Sequence, residues 1–132
     1  MSVVPEKLED LLEWDKKAYG NVATLGPDNQ PQNNPVWFDW DGTHLRFSQT
    51  TTRKKLANLK RDPRLAISII DPEDPYRYLE IRGKMVEVEP DPDKAFIDRM
   101  AQKYLGQDKY PWNRPEDERV IVVVEPEHTT SM

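Results

Sequence analysis

The residues best suited to chemistry stand together in one stretch, Gln49–Arg64, which reads QTTTRKKLANLKRDPR. Within its last twelve residues six cations (Arg53, Lys54, Lys55, Lys60, Arg61, Arg64) meet one acid, Asp62. Residues 53–64 thus carry +5 in a chain of net charge -5, which leaves -10 for the other 120 residues. The spacing predicts a short helix over Arg53 to Lys60, stopped by Asp62-Pro63. Arg53, Lys54 and Lys55 then fall in the first turn, where the helix dipole disfavours cations by about 0.3–1 kcal/mol each. An anion on the helix end would reverse that sign. Free N–H groups, the hydroxyls of Thr50 to Thr52 as caps, and cationic side chains would together cradle a phosphate. The competing reading is a solvated basic face, and the charge pattern alone leaves both open. Lys60, Arg61 and Arg64 lie later, where the dipole favours cations, so their expected role is structural.

Aromatic residues are the second clue. Trp37, Phe38 and Trp40 line one strand candidate, and Tyr76 and Tyr78 open another. At alternate positions of a β-protein such residues fit a core or a subunit interface as well as a ligand platform. No catalytic constellation accompanies them: GxSxG, P-loop and GxGxxG patterns are absent, and no carboxylate pair is fixed as an acid–base dyad. There is no cysteine, and the two histidines, His44 and His128, stand apart, so no metal ligand set is expected. Any redox chemistry is then expected to reside in a bound cofactor.

The elements that must position these groups follow from periodicity. Leu8, Leu11 and Leu12 predict an amphipathic helix over Glu6 to Lys17, with Pro5 in a first-turn position. Strands are expected at Gly20–Leu25, Gln32–Trp40, Leu45 onward through Phe47, Leu65–Ile70, Tyr76–Glu89 and Arg119–Glu125. Asp41-Gly42 marks a hairpin. The inward positions of the fifth strand change parity around Gly83, as one inserted residue would cause. A third helix is expected over Lys94–Leu105, entered through Pro90-Asp-Pro-Asp93 and closed by Gly106. Six strands joined mainly by short turns predict a mainly β fold, an antiparallel barrel with flanking helices, not a doubly wound parallel sheet.

Composition sets the frame. At 132 residues and 15.5 kDa the chain is expected to form a single domain, 1–132. Only 36% of residues are hydrophobic and 33% are charged, a poor apolar share for a small monomer that suggests shielding by a partner subunit or ligand. The pI near 5.1 opposes general nucleic-acid binding. With no apolar run near a membrane span and no signal-peptide core, a soluble cytoplasmic protein without membrane contacts is expected.

In sequence the chain resembles the F420-dependent branch of the pyridoxamine 5'-phosphate oxidase-like, FMN-binding split-barrel family. The similarity is carried by Val22–Leu25, Asp28-Asn-Gln-Pro31, Pro35-Val-Trp-Phe-Asp-Trp-Asp-Gly42, Leu45-Arg-Phe-Ser48, Arg53-Lys-Lys55, Asn58–Arg64, Asp74–Gly83 and Lys103-Tyr-Leu-Gly106, in order over residues 20 to about 125. The resemblance implies a six-stranded split barrel working as a homodimer, with cofactor sites at the subunit interface. It implies phosphate binding by Arg53 and Lys55, with Lys54 and the Ser48, Gln49, Thr50 and Thr52 loop beside them. Asn33, Asn34, Pro35, Val36 and Trp37 would flank the ring of coenzyme F420, and Asn58 would lie near it. Tyr76, Arg77 and Tyr78 would reach the cofactor from the partner subunit. The implied activity is hydride transfer between the deazaflavin and a small unsaturated organic acceptor, with no assigned catalytic acid. An FMN enzyme of the same fold and a non-catalytic deazaflavin carrier are the alternatives.

Overall fold

Alternating apolar and polar residues become strands wherever one face can be buried. The structure, a computed structural model, describes residues 3–131. Its strands are β1 (Gly20–Leu25), β2 (Pro31–Val36), β3 (Phe38–Trp40), β4 (Leu45–Thr50), β5 (Arg64–Asp71), β6 (Asp74–Pro90) and β7 (Arg119–Thr130). Two α-helices, α1 (Lys54–Arg61) and α2 (Ala95–Leu105), flank them. The strands form one antiparallel sheet in the order β2-β1-β5-β6-β7-β4-β3. Its inner face is apolar: Val22, Phe38, Phe47, Ile67, Leu79, Ile81, Val122 and Val124 are fully buried.

Seven strands stand where six are expected, and one residue makes the difference. The stretch read as a single strand, Gln32–Trp40, breaks at Trp37. Before the break β2 pairs with β1; after it β3 pairs with β4. These are the two opposite edges of the sheet, so consecutive residues of the chain serve both. A single residue spans no more than about 3.6 Å. The sheet must therefore curl until its edges meet end to end, which is the split-barrel architecture. Side chains of α2 secure the joint. Tyr104 Oη accepts the Phe38 N–H at 3.3 Å and donates to the Ala18 carbonyl at 2.7 Å, while Lys103 Nζ donates to the Phe38 carbonyl at 2.7 Å.

The parity change in β6 has two parts. Opposite β7, the register slips between Arg82 and Gly83 and again between Met85 and Glu87. The residue inserted in β6 is Val86, which is exposed, so Met85 and Val88 both pack against the core. Gly83 plays another part: it faces the backbone of β7 so closely that a Cβ there would lie 2.1 Å from the Glu125 carbonyl oxygen.

The helices differ in detail from expectation. Glu6–Lys17 is not an α-helix but two 3-10 turns, Glu6–Leu12 and Trp14–Lys16, with Pro5 at the cap position. Leu8, Leu11 and Leu12 are buried as their spacing predicts, but the Arg77 guanidinium takes the Lys7 carbonyl, and packing sets the tighter winding. The α2 helix starts at Ala95, and its end is held by Asp91, whose carboxylate accepts the Phe96 N–H at 3.2 Å, not by Asp93. Gly106 closes α2 in the left-handed conformation, φ 69°.

Replacing Gly83 by alanine forces backbone against backbone. We expect Gly83→Ala to destabilise the protein by about 3 kcal/mol, measured by urea unfolding. A loss under about 0.5 kcal/mol, the scatter of neutral surface changes, would contradict the close approach.

Candidate cofactor site

Where the sheet edges meet, a cleft of about 740 Å³ opens. Each wall follows from local structure. The edge strand β2 contributes Gln32, Asn34, Pro35 and Val36, and the joint contributes Trp37. The end of β4 brings Ser48, Gln49 and Thr50, and the turn into α1 brings Thr52, Arg53, Lys54 and Lys55. Tyr19, Ile97, Tyr110, Trp112 and Arg119 complete the lining. Four of these residues are cationic and none is acidic, in a chain with 24 acids.

The cationic end is built on the start of α1. Arg53 occupies the cap position, and no side chain caps the helix, so the threonine hydroxyls do not take the capping role expected of them. Thr50 and Thr52 instead face one another, their hydroxyls 3.5 Å apart. The first N–H groups of α1 are left for a ligand. Lys55 is only 8% exposed and, among the described residues, has neither an ion pair nor a hydrogen bond. Burial, reinforced by the neighbouring Arg53 charge, pushes its ammonium down to about 8. Beside it the Gln49 side-chain oxygen is buried and has no donor, while its amide nitrogen donates to the Ser48 carbonyl at 2.9 Å. An orphaned buried acceptor is costly unless a ligand completes it, and a partly desolvated ammonium facing the same cleft gains from an anion there. Together they fit a molecule with an anionic group at one place and an N–H or O–H donor at another, as a phosphorylated flavin or deazaflavin has.

The other walls are aromatic. Tyr104 stacks on Tyr19 at 5.2 Å and on Trp37 at 5.3 Å. Trp37 meets the Tyr110 ring edge to face at 5.8 Å, and Tyr110 meets Trp112 likewise at 5.4 Å. Burial keeps the Tyr104 hydroxyl protonated far above neutral pH, against the opposing pull of the Phe38 N–H, so it serves as a fixed donor to Ala18 and not as a base.

Eleven of the sixteen residues singled out in the sequence meet in this cleft; Asn33, Asn58, Tyr76, Arg77 and Tyr78 do not line it. Asn33 alternates outward from its lining neighbours Gln32 and Asn34. Asn58 lies behind the wall: its amide nitrogen donates to Thr24 Oγ1 at 3.1 Å and to Gln32 Oε1 at 3.0 Å, tying α1 to β1 and β2. Arg77 pairs with Asp10 and Asp71, and its hydrogen bonds, aided by its charge, hold the Asp10 carboxyl down at about 2. Tyr76 is 78% exposed at the start of β6. Six lining residues were missed: Tyr19, Gln32, Ile97, Tyr110, Trp112 and Arg119. Two aromatics in the otherwise polar 107–117 loop were a readable signal, whereas nothing local marks Tyr19 or Arg119.

Among the described residues no group of three or more His, Asp or Glu is placed to hold a metal, and no helix is long and apolar enough to cross a membrane.

Comparison with known proteins agrees with this geometry. The family model described as pyridoxamine 5'-phosphate oxidase matches residues 4–132. A solved structure described as an F420 reductase is 45% identical, covers 96% of this chain and 98% of its own, and superposes with a TM-score of 0.85. A conserved hypothetical protein of Mycobacterium tuberculosis, 23% identical, covers 98% of this chain and 85% of its own at a TM-score of 0.72. A pyridoxamine 5'-phosphate oxidase-related, FMN-binding protein of Nostoc punctiforme, 16% identical, covers 98% and 84% at a TM-score of 0.66. These last two share the fold. No curated protein matches the chain in sequence. The cleft at the meeting of the sheet edges is thus the cofactor-site candidate of a chain that belongs to the pyridoxamine 5'-phosphate oxidase family, with the FMN-binding split-barrel fold.

Proposed function

We propose that the protein is an F420-dependent oxidoreductase that holds the deazaflavin in this cleft. Lys55 carries the proposal: a largely buried lysine at a helix start whose ammonium has no partner among the described residues and opens on a cleft that no acid lines. The 45% identity to an F420 reductase over nearly the whole of both chains supports the choice of cofactor. When bound, the reduced deazaflavin supplies a hydride to an unsaturated organic acceptor. This chain's residues do the rest. Arg53, Lys54, Lys55 and the N–H groups of α1 take the phosphate, and Gln49 accepts a donor from the ligand. Asn34 to Trp37 flank the ring, and the aromatic walls exclude water and orient the reactants.

FMN is the competing occupant, since the same grip serves its phosphate and the Nostoc structure is described as FMN-binding. Titration with each cofactor, followed by tryptophan fluorescence, separates them. We expect micromolar F420 binding and FMN weaker by about tenfold, or 1.4 kcal/mol. Micromolar FMN binding with none of the deazaflavin would overturn the proposal. Steady consumption of reduced F420 with a quinone or enone would exclude a mere carrier.

Lys55 makes the binding pH-dependent in a defined direction. The anion binds the ammonium form, so affinity should be flat below pH 8 and fall above it, by about tenfold per pH unit at most. The free protein should show the opposite trend. Its depressed lysine means that folding stability from this group rises as pH climbs from about 8 towards 10.5. Lys55→Met should weaken F420 by at least about tenfold, a loss on the order of 1.5–3 kcal/mol, and remove the pH dependence. Near pH 7 it should leave the free protein as stable or more so. Unchanged affinity in that variant would reduce the basic turn to a solvated surface.

We further propose that two copies pair, with Tyr76 to Tyr78 of each reaching the cleft of the other. The exposure of Tyr76 and the absence of this segment from its own cleft support that reading. Light scattering should give a dimer near 31 kDa, twice the chain mass of 15.5 kDa. Tyr76→Ala should weaken F420 binding by about threefold or more. A monomer that binds F420 normally would refute it.

A further inference from the structure

One wall of the cleft carries groups that phosphate and ring binding leave unused. Arg119 opens β7, paired in register with Thr50. Its Nε donates to Asn113 Oδ1 at 3.0 Å and its Nη1 to Ser48 Oγ at 3.2 Å, and its guanidinium carbon lies 4.9 Å from the Tyr110 ring centroid. All three partners are neutral. The acid that feels its charge, Asp117, is already bound by the backbone and side chain of Arg114. Among the described residues no carboxylate lies within ion-pair distance of Arg119. A guanidinium has five N–H donors in a rigid fork, and the two bonds here hold the fork in place with the others open to the cleft. On the far side of Tyr110 stands Trp112, 61% exposed, its ring 5.4 Å from Tyr110 at 78°.

An oriented guanidinium with no ion pair among the described residues and an exposed indole thus both meet one tyrosine on one wall. An exposed indole beside a tyrosine offers a face on which a planar ligand can stack, and a cleft-facing guanidinium favours a flat oxyanion that can take two parallel N–H bonds. We propose that Arg119, Tyr110 and Trp112 form the acceptor subsite and that the acceptor is a planar conjugated acid. Its ring lies against Trp112 and Tyr110, and its carboxylate meets the Arg119 fork. The subsite rests on the F420 reading, which assigns the α1 end of the cleft to the cofactor phosphate and leaves this wall to the second reactant.

Calorimetric titration of 2-naphthoate and of its neutral analogue 2-naphthamide into protein preloaded with oxidised F420 tests the idea by binding, without turnover. We expect 2-naphthoate to bind without displacing F420 and to exceed the amide by at least about tenfold. Arg119→Met should abolish that preference while leaving the amide within about twofold, and Arg119→Lys should restore part of it. Trp112→Ala should weaken both probes by about fivefold and F420 by less than either probe. Displacement of F420 by 2-naphthoate, equal binding of the two probes, or an undiminished preference in Arg119→Met would each overturn the subsite. If the wild type binds no F420, the cofactor proposal falls on its own. The same probes, titrated into protein loaded with FMN or left free, then decide the subsite by the same criteria.

Discussion

The whole arrangement hangs on one junction. Trp37 is the single residue between β2 and β3, which occupy opposite edges of a seven-stranded sheet. An open sheet of seven strands would hold its edges about 29 Å apart, six spacings of about 4.8 Å. One residue cannot bridge that distance, so the sheet is obliged to curl. The curl brings the ends of β2 and β4 to the same place, and α1, which directly follows β4, is carried there with its cationic first turn. The cleft is therefore a consequence of closure and not a separate feature added to the barrel. A chain break at this point also leaves backbone groups without ladder partners, and the Phe38 N–H and carbonyl are met by Tyr104 and Lys103. Lys103 is fully buried for this purpose, and burial pushes its ammonium down to about 8. Phe38 and Tyr104 rings at 4.5 and 4.9 Å offset part of its desolvation.

Two buried lysines with similarly depressed ammonium groups thus have opposite meanings. Lys103 has a carbonyl and two ring faces, so its charge is answered within the fold. Among the described residues the Lys55 side chain has no partner, and the charge that acts on it is another cation, Arg53. A fold can retain such a group only where stability elsewhere covers its cost, and the usual reason for retention is a ligand. Geometry, not the size of the shift, separates the cation answered within the fold from the one that faces the cleft.

Much of this was legible in the sequence because it is local. The cationic first turn, the Asp41-Gly42 hairpin, the apolar face of α2 and the Gly106 stop each depend on a few adjacent residues. Closure is not local. Nothing in Gln32–Trp40 itself says that its two halves pair with different strands, so a six-strand count was the natural reading. Lys103 was hidden by its chemistry: helical spacing sets it at the edge of the apolar face, seven residues after Phe96 and three after Met100, but a lysine is read as solvated until the Phe38 carbonyl, 65 residues away, explains its burial. Tyr19 and Arg119 enter the cleft through tertiary placement alone. The resemblance supplied Asn58 as a cofactor neighbour, whereas its side chain braces Gln32, which is the residue that lines the cleft.

The aromatic chain from Tyr19 through Tyr104, Trp37 and Tyr110 to Trp112 links these parts mechanically. Its centre is pinned, because the Tyr104 hydroxyl holds both Ala18 and the Phe38 N–H. Its two ends, Tyr19 and Trp112, are the exposed members. The chain thus has a rigid centre and accessible ends. The Tyr110 end is tied independently, by its N–H to Asp98 at 2.9 Å and by Arg119 across its face. The 107–117 loop is therefore a wall anchored on α2 and β7. In this wall Arg119 and Trp112 both meet Tyr110, so the loop sets a charged group and a flat ring side by side.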